Sequence, residues 1–203
     1  MDFKTGKSIF ESLYSGVDGY AISKRARQNL NYKNKAHTYG EVTAESFYQI
    51  LNDLQYKNGG NFYDLGSGTG KAVMLSAIFG SFTKLTGVEI IKELHQKAVD
   101  IFRRFEAEVA PILPVEKRGL KIELANSDFL NYDFSDADVI FAHSTCFYDE
   151  LMLALERKCL ALKEETKILL TTKNFLLPQF RLVKSQEYPM TWGKSTVNFY
   201  EKD

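Results

Sequence analysis

Phe62-Tyr63-Asp64-Leu65-Gly66-Ser67-Gly68-Thr69-Gly70-Lys71 joins an apolar run to a glycine-rich turn, with a carboxylate at the junction. The run reads as a short strand, Asn61 to Leu65, and the residues after the turn, Lys71 to Phe79, as a helix. Glycines at alternate positions let the backbone turn tightly and approach a ligand closely. The helix behind them would aim its first amides at a carboxylate or phosphate. Other nucleotide turns fit poorly. The dinucleotide fingerprint G-x-G-x-x-G does not match this spacing, and a P-loop needs Gly-Lys-Ser/Thr where this chain has Gly70-Lys71-Ala72.

Outward from the turn, strands and helices alternate. Glu41 to Leu54 carries Phe47, Ile50, Leu51 and Leu54 at helical spacing and ends before Asn58-Gly59-Gly60. Lys84 to Ile90 is a second strand, Lys92 to Val109 a long helix stopped by Pro111 and Pro114, Leu120 to Ala125 a third strand and Ala137 to Ala142 a fourth. Glu150 to Leu162 is a helix and Thr166 to Thr172 a fifth strand. Arg181 to Glu187 and Ser195 to Glu201 follow with no helix between them, so they fit an antiparallel hairpin. The pattern predicts an α/β fold, a doubly wound, seven-stranded, mostly parallel sheet with a C-terminal antiparallel hairpin. Residues 1–38 read as a polar, partly helical arm and 39–203 as the body. Lys24, Arg25, Arg27, Lys33 and Lys35 make Ile22 to His37 basic, either as a solvated face or as a surface for an acidic partner.

Composition narrows the class. The 203 residues carry 26 Lys plus Arg against 26 Asp plus Glu, so a stable nucleic-acid complex is not expected. Two cysteines, Cys146 and Cys159, are too few for a disulfide framework and suit a reducing compartment. The first residues lack the apolar core of a signal peptide, and no apolar run is long enough for a membrane span. The expectation is a soluble intracellular protein, in the cytoplasm rather than the nucleus. No Cys/His or acidic cluster has the spacing of a metal site.

Three further positions carry chemistry. Glu89 ends the second strand, where an acid can accept both hydroxyls of a ribose. Alone it would be a solvated carboxylate; downstream of the glycine turn the ribose role is favoured. Asn126-Ser127-Asp128-Phe129 follows the third strand, where an acid can accept from a base amino group and an aromatic can cover the ring; a capping aspartate is the other reading. His143 ends the fourth strand, as a substrate-positioning or proton-accepting group or as a hydrogen-bonded structural histidine.

Asp64-x-Gly66-x-Gly68-x-Gly70 after a strand resembles the class I S-adenosylmethionine-dependent methyltransferases. More narrowly, the chain resembles the non-SET histone lysine methyltransferases, the "disruptor of telomeric silencing" family, over about residues 39 to 202. Tyr39-Gly40-Glu41-Val42-Thr43 resembles the family's loop over the methionine end of the cofactor, Asp64-Leu65-Gly66-Ser67-Gly68 its cofactor turn and Gly87-Val88-Glu89 its ribose-binding strand end. Asp128-Phe129 resembles its adenine-binding pair, and Val139-Ile140-Phe141-Ala142 leads into its substrate-side motif. Thr191-Trp192-Gly193-Lys194 and Val197-Asn198-Phe199-Tyr200 resemble the hairpin lining its lysine channel. The resemblance implies S-adenosyl-L-methionine as cofactor, held by Tyr39, Glu41, Thr43, Asp64, Gly66, Ser67, Gly68, Gly70, Lys71, Glu89, Asp128 and Phe129. It places His143, Trp192 and Phe199 on the acceptor side and implies a protein lysine as methyl acceptor. Such an enzyme works mainly by alignment, which in well-oriented reactions supplies roughly 7–11 kcal/mol, and a desolvated channel keeps the amine neutral.

The chain departs from the family at His143-Ser144-Thr145, where the family carries Asn-Asn-Phe, and these 203 residues hold no counterpart of its long basic nucleosome-binding extension. Cofactor binding is therefore expected to carry over and nucleosomal histone as substrate is not. A small-molecule or RNA methyltransferase of the same fold and a non-catalytic cofactor binder stay open. Replacing Glu89 by Ala is expected to weaken S-adenosylhomocysteine binding by about 1–3 kcal/mol, the range for lost hydrogen bonds to a charged acceptor. Unchanged affinity in a calorimetric titration rejects the ribose assignment.

Overall fold

Alternation along each central strand sorts its side chains onto two faces. Phe62 of β1 (Gly60–Leu65) enters one core with Val139 and Phe141 of β4 (Val139–Ala142), Leu169 of β5 (Lys167–Thr171) and Phe199 of β7 (Gly193–Lys202). The intervening residues Tyr63, Leu65, Ile140, Ala142, Ile168, Leu170 and Tyr200 enter a second core on the opposite face. A sheet apolar on both faces must be covered on both. Helices α1 (Phe3–Leu13), α3 (Ala44–Asp53) and α4 (Lys71–Phe79) contribute to the first core, and α6 (Asp149–Cys159) closes the second with Met152, Leu155 and Cys159.

These relations come from a computed structural model that describes residues 1–29 and 40–203. The sheet has seven strands in the order β3-β2-β1-β4-β5-β7-β6, with β2 at Phe82–Glu89, β3 at Lys121–Asn126 and β6 at Phe180–Met190. β3, β2, β1, β4 and β5 run parallel; β7 inserts antiparallel between β5 and β6. Order reverses between β1 and β4, the place where open α/β sheets leave a crevice beyond the strand ends. The expected fold class is the one observed.

Two features differ from the sequence reading. The segment expected as one helix, Lys92 to Val109, is α-helical as α5 (Lys92–Arg104) and then widens into a π turn over Phe105–Val109. The wider winding keeps both Phe105 and Val109 buried before Pro111 ends the run. The polar arm contains a well-anchored helix, α1. Its Phe10 and Leu13 share the first core, and Arg104 of α5 donates to the Leu13 carbonyl at 2.8 Å. The second arm helix, α2 (Gly19–Asn29), rests Ala26 against Ile91 and Leu94 at the start of α5. Lys33, Lys35 and His37 lie outside the described residues.

Phe47 is fully buried and makes edge contacts with Phe62 and Phe141, at ring-centroid distances of 6.3 and 5.3 Å. Phe47→Ala is expected to cost about 3–5 kcal/mol, the range for emptying a buried aromatic site. Urea titration checks it through a lower midpoint at unchanged slope.

Candidate active site

The glycine turn is held from its neighbour strand. The amides of Gly66 and Ser67 both donate to the Val88 carbonyl of β2, at 2.8 and 3.0 Å. Gly66, Gly68 and Gly70 have φ of +84°, +55° and +81°, the left-handed region that favours glycine. Glu89 then ties two turns together: Oε2 accepts from the Gly68 amide and Oε1 from the Ile91 amide, each at 2.7 Å. Burial raises its pKa, opposed by the bonds from Ile91, Gly68 and Ile90. Asp64, two residues before the turn, is pushed well above the usual carboxylate range by burial and by the charge of Glu89. From the other side Tyr14, the C-cap residue of α1, donates its hydroxyl to the Thr69 carbonyl at 3.0 Å.

Lys71 opens α4, where the helix dipole disfavours a cation. Its ammonium pairs with Glu41 Oε2 at 2.5 Å and lies 5.4 Å from the Tyr14 ring centroid. The pair fastens the irregular segment Gly40–Val42 beside the turn. A cleft of about 20 Å³ results, lined among others by Gly40, Glu41, Asp64, Gly66, Ser67 and His143. Two buried polar atoms of its lining, Glu41 Oε1 and His143 Nε2, have no hydrogen-bond partner among the described residues.

His143 leaves β4 with its Nδ1 3.4 Å from Thr171 Oγ1. Burial lowers its pKa to about 4, so the ring is neutral at physiological pH. Trp192, in the β6–β7 turn and 41% exposed, packs on it at a ring-centroid distance of 4.7 Å and 57° between planes. Glycine at position 40 leaves room for this approach: a Cβ there would stand 3.0 Å from His143 Cε1 and 3.3 Å from Trp192 Cζ3, tight enough that the rings would have to give by a few tenths of an ångström.

The structure thus gathers Glu41, Asp64, Gly66, Ser67, Gly68, Gly70, Lys71, Glu89, His143 and Trp192. Asp128 and Phe129 flank it past β3. Asp128 Oδ1 caps the Leu130 amide at 2.8 Å, and the buried Phe129 ring stacks on Phe147 at 5.6 Å. Thr43 is not a cleft-facing group here: its hydroxyl accepts from the Ser46 amide at 3.1 Å and caps α3. Phe199 does not wall a channel beside His143; it is a core residue, buried between Tyr188 and the Lys184 ammonium. The β7 alternation sends it inward with Val197. Tyr39 lies outside the described residues. The sequence reading missed Tyr14, Tyr20 and Thr171, and gave Thr191 only as part of the hairpin motif. The hydroxyls of Tyr20 and Thr191 meet at 2.8 Å, and Thr191 donates to the Glu41 carbonyl at 3.2 Å. No local motif marks Tyr14, Tyr20 or Thr171, because each acts across a long separation in sequence.

A family model described as histone methylation protein DOT1 matches residues 19–201. The H3 lysine-79 specific histone-lysine N-methyltransferase of Caenorhabditis elegans is 32% identical over 206 residues, covering 89% of this chain and 21% of that protein. Its namesake in Debaryomyces hansenii is 26% identical over 181 residues, covering 86% and 15%. This chain therefore spans about a fifth or less of the length of these curated relatives. Among solved structures, an RNA methyltransferase from Salinibacter ruber in complex with S-adenosyl-L-homocysteine superposes with a TM-score of 0.53 at 18% identity, covering 78% of this chain and 89% of that one, a likeness of fold. The curated relatives are named for a lysine of histone H3, which overturns the expectation of cytoplasm over nucleus.

The raised carboxyl of Asp64 has a consequence for stability. A carboxyl whose folded pKa lies above its unfolded value, about 3.9, favours the fold at low pH and loses that contribution as pH rises through the folded pKa. Asp64→Asn is therefore expected to be more stable than wild type at pH 8, by a margin that narrows at pH 5. Urea melts of the ligand-free protein at both values measure this; an equal margin at both contradicts it.

Proposed function

Because the chain belongs to the DOT1 family of histone methylation proteins, we propose that it is an S-adenosylmethionine-dependent methyltransferase acting on a protein lysine, with histone H3 the acceptor to test first. One observation carries the reading: beside a nucleotide-type turn, Glu41 Oε1 and His143 Nε2, without partners among the described residues, line one cleft with Asp64. Buried acceptors without donors are costly. They call for a ligand that brings N–H groups or positive charge, as an amino acid ammonium and a lysine amine both do.

The residues fit the cofactor. Glu89 keeps a second lone pair on each oxygen for ribose hydroxyls. Asp64, together with the first amides of α4 and the Gly66-Ser67-Gly68 backbone, suits the ammonium and carboxylate of its methionine end. Asp128 and Phe129 supply an acceptor and an aromatic surface past β3. When bound, S-adenosylmethionine supplies a methyl group already activated on sulfur. The chain's own residues then bind, orient and exclude water. A neutral His143 accepts one N–H of the incoming amine and turns its lone pair toward the cleft, and Trp192 covers the side open to solvent.

The relatives' names support histone H3 as the acceptor to test first, despite the His143-Ser144-Thr145 departure. The zero net charge gives RNA no comparable support.

Transfer of radiolabelled methyl to reconstituted nucleosomes, free histones and RNA tests the reading. Label on an H3 lysine is expected. His143→Ala should leave S-adenosylhomocysteine affinity nearly unchanged while lowering turnover roughly 100-fold, the low end for loss of a positioned proton acceptor. Label confined to RNA, or no label from a folded protein that binds S-adenosylhomocysteine, rejects the lysine assignment.

A further inference from the structure

We propose that Thr171 is a positioning residue whose hydroxyl accepts the Nδ1–H of His143, holding the imidazole in the tautomer that presents Nε2 to the cleft as a bare acceptor. The proposal rests on the methyl-transfer reading, which needs an acceptor for an amine N–H at that point. Thr171 is the last residue of β5 and fully buried, with its Oγ1 3.4 Å from His143 Nδ1. Either sense of that bond is possible in isolation, because a hydroxyl both donates and accepts.

The neighbouring hydroxyls can supply the sense proposed. Thr171 Oγ1 is 3.2 Å from Thr145 Oγ1, which is 3.3 Å from Thr172 Oγ1, which is 2.9 Å from Ser195 Oγ. Each hydroxyl has a single proton to give. If Thr171 donates to Thr145, it offers His143 only lone pairs, so Nδ1 must carry the hydrogen. The row then runs outward to Thr172, an exposed residue where water completes the bonding. In the opposite sense Nε2 would carry a buried hydrogen that meets no acceptor among the described residues.

The backbone works to keep the row in place. Thr172 has φ +67°, a strained conformation for a β-branched residue, and its amide is held by the Thr196 carbonyl at 2.8 Å. Ser144, next to His143, donates its hydroxyl to the Thr171 carbonyl at 2.8 Å, fixing the two strand ends against each other. A neutral ring at physiological pH, the result of its burial, makes the tautomer a meaningful choice.

Long-range imidazole ¹⁵N spectra of the labelled protein read the tautomer directly. The chain has three histidines, and the signals lost in His143→Gln identify the one in question. Wild type is expected to show a protonated Nδ1 and a pyridine-like Nε2 at His143. Thr171→Val should shift the ring toward the other tautomer, and Thr171→Ser should keep it. In the methyl-transfer assay Thr171→Val should lower kcat by about tenfold or more, as expected for an imidazole in the wrong tautomer. S-adenosylhomocysteine affinity should stay unchanged, and Thr171→Ser should restore the rate. A wild-type ring protonated at Nε2, or an unaltered tautomer in a folded Thr171→Val, overturns the proposal. The expected tautomer in a wild type that transfers no methyl supports the Thr171 assignment and overturns the proposed activity instead, so the two failures are distinct.

Discussion

The carboxylate of Glu89 is the constraint on which the site depends. Its two oxygens grip the amides of Gly68 and Ile91, one in the turn after β1 and one in the turn after β2. Charge-assisted bonds of this kind are short and directional. They lock two adjacent strand-to-helix turns into one surface. Around that grip the Val88 carbonyl holds the start of the glycine turn, and Tyr14 braces its far end through Thr69. The arm helix α1 is thus part of what keeps the turn open to a ligand.

The same site stores electrostatic tension. Asp64 and Glu89 are both buried, each raised in pKa, with the negative charge of Glu89 adding to the burden on Asp64. Glu41 is buried too, satisfied on one oxygen by Lys71 and without a partner on the other among the described residues. Three carboxyl groups near one cleft make a surface matched to cationic or N–H-bearing ligands. A fold built for stability alone would replace such groups by neutral ones, since buried charges rarely add net stability. The neutral His143 supplies an acceptor without adding a further charge.

Access and order are set by pieces far apart in sequence. Glu41 is held by Lys71 from α4 and by Thr191 from the β6–β7 turn, and Tyr20 of α2 joins through Thr191. The same turn places Trp192 on His143, against the backbone of Gly40. Five segments of the chain therefore converge on the His143 end of the cleft.

By itself the sequence determined the fold class and located the glycine turn with its flanking acids. Alternation along β1, β4, β5 and β7, the glycines at 66, 68 and 70 and the acids at 64 and 89 are local signals, because strand periodicity and turn conformation depend on neighbouring residues. Tertiary structure decided what depends on partners distant in sequence. It moved Phe199 into the core, assigned Thr43 to a helix cap, paired Lys71 with Glu41 and set Thr171 beside His143. Nothing near Phe199 distinguishes a core aromatic from a channel aromatic; the choice is made by which face of β7 meets Tyr188. Nothing near Thr171 marks it as the partner of a ring 28 positions earlier, because that contact exists only once β4 and β5 lie side by side in parallel register.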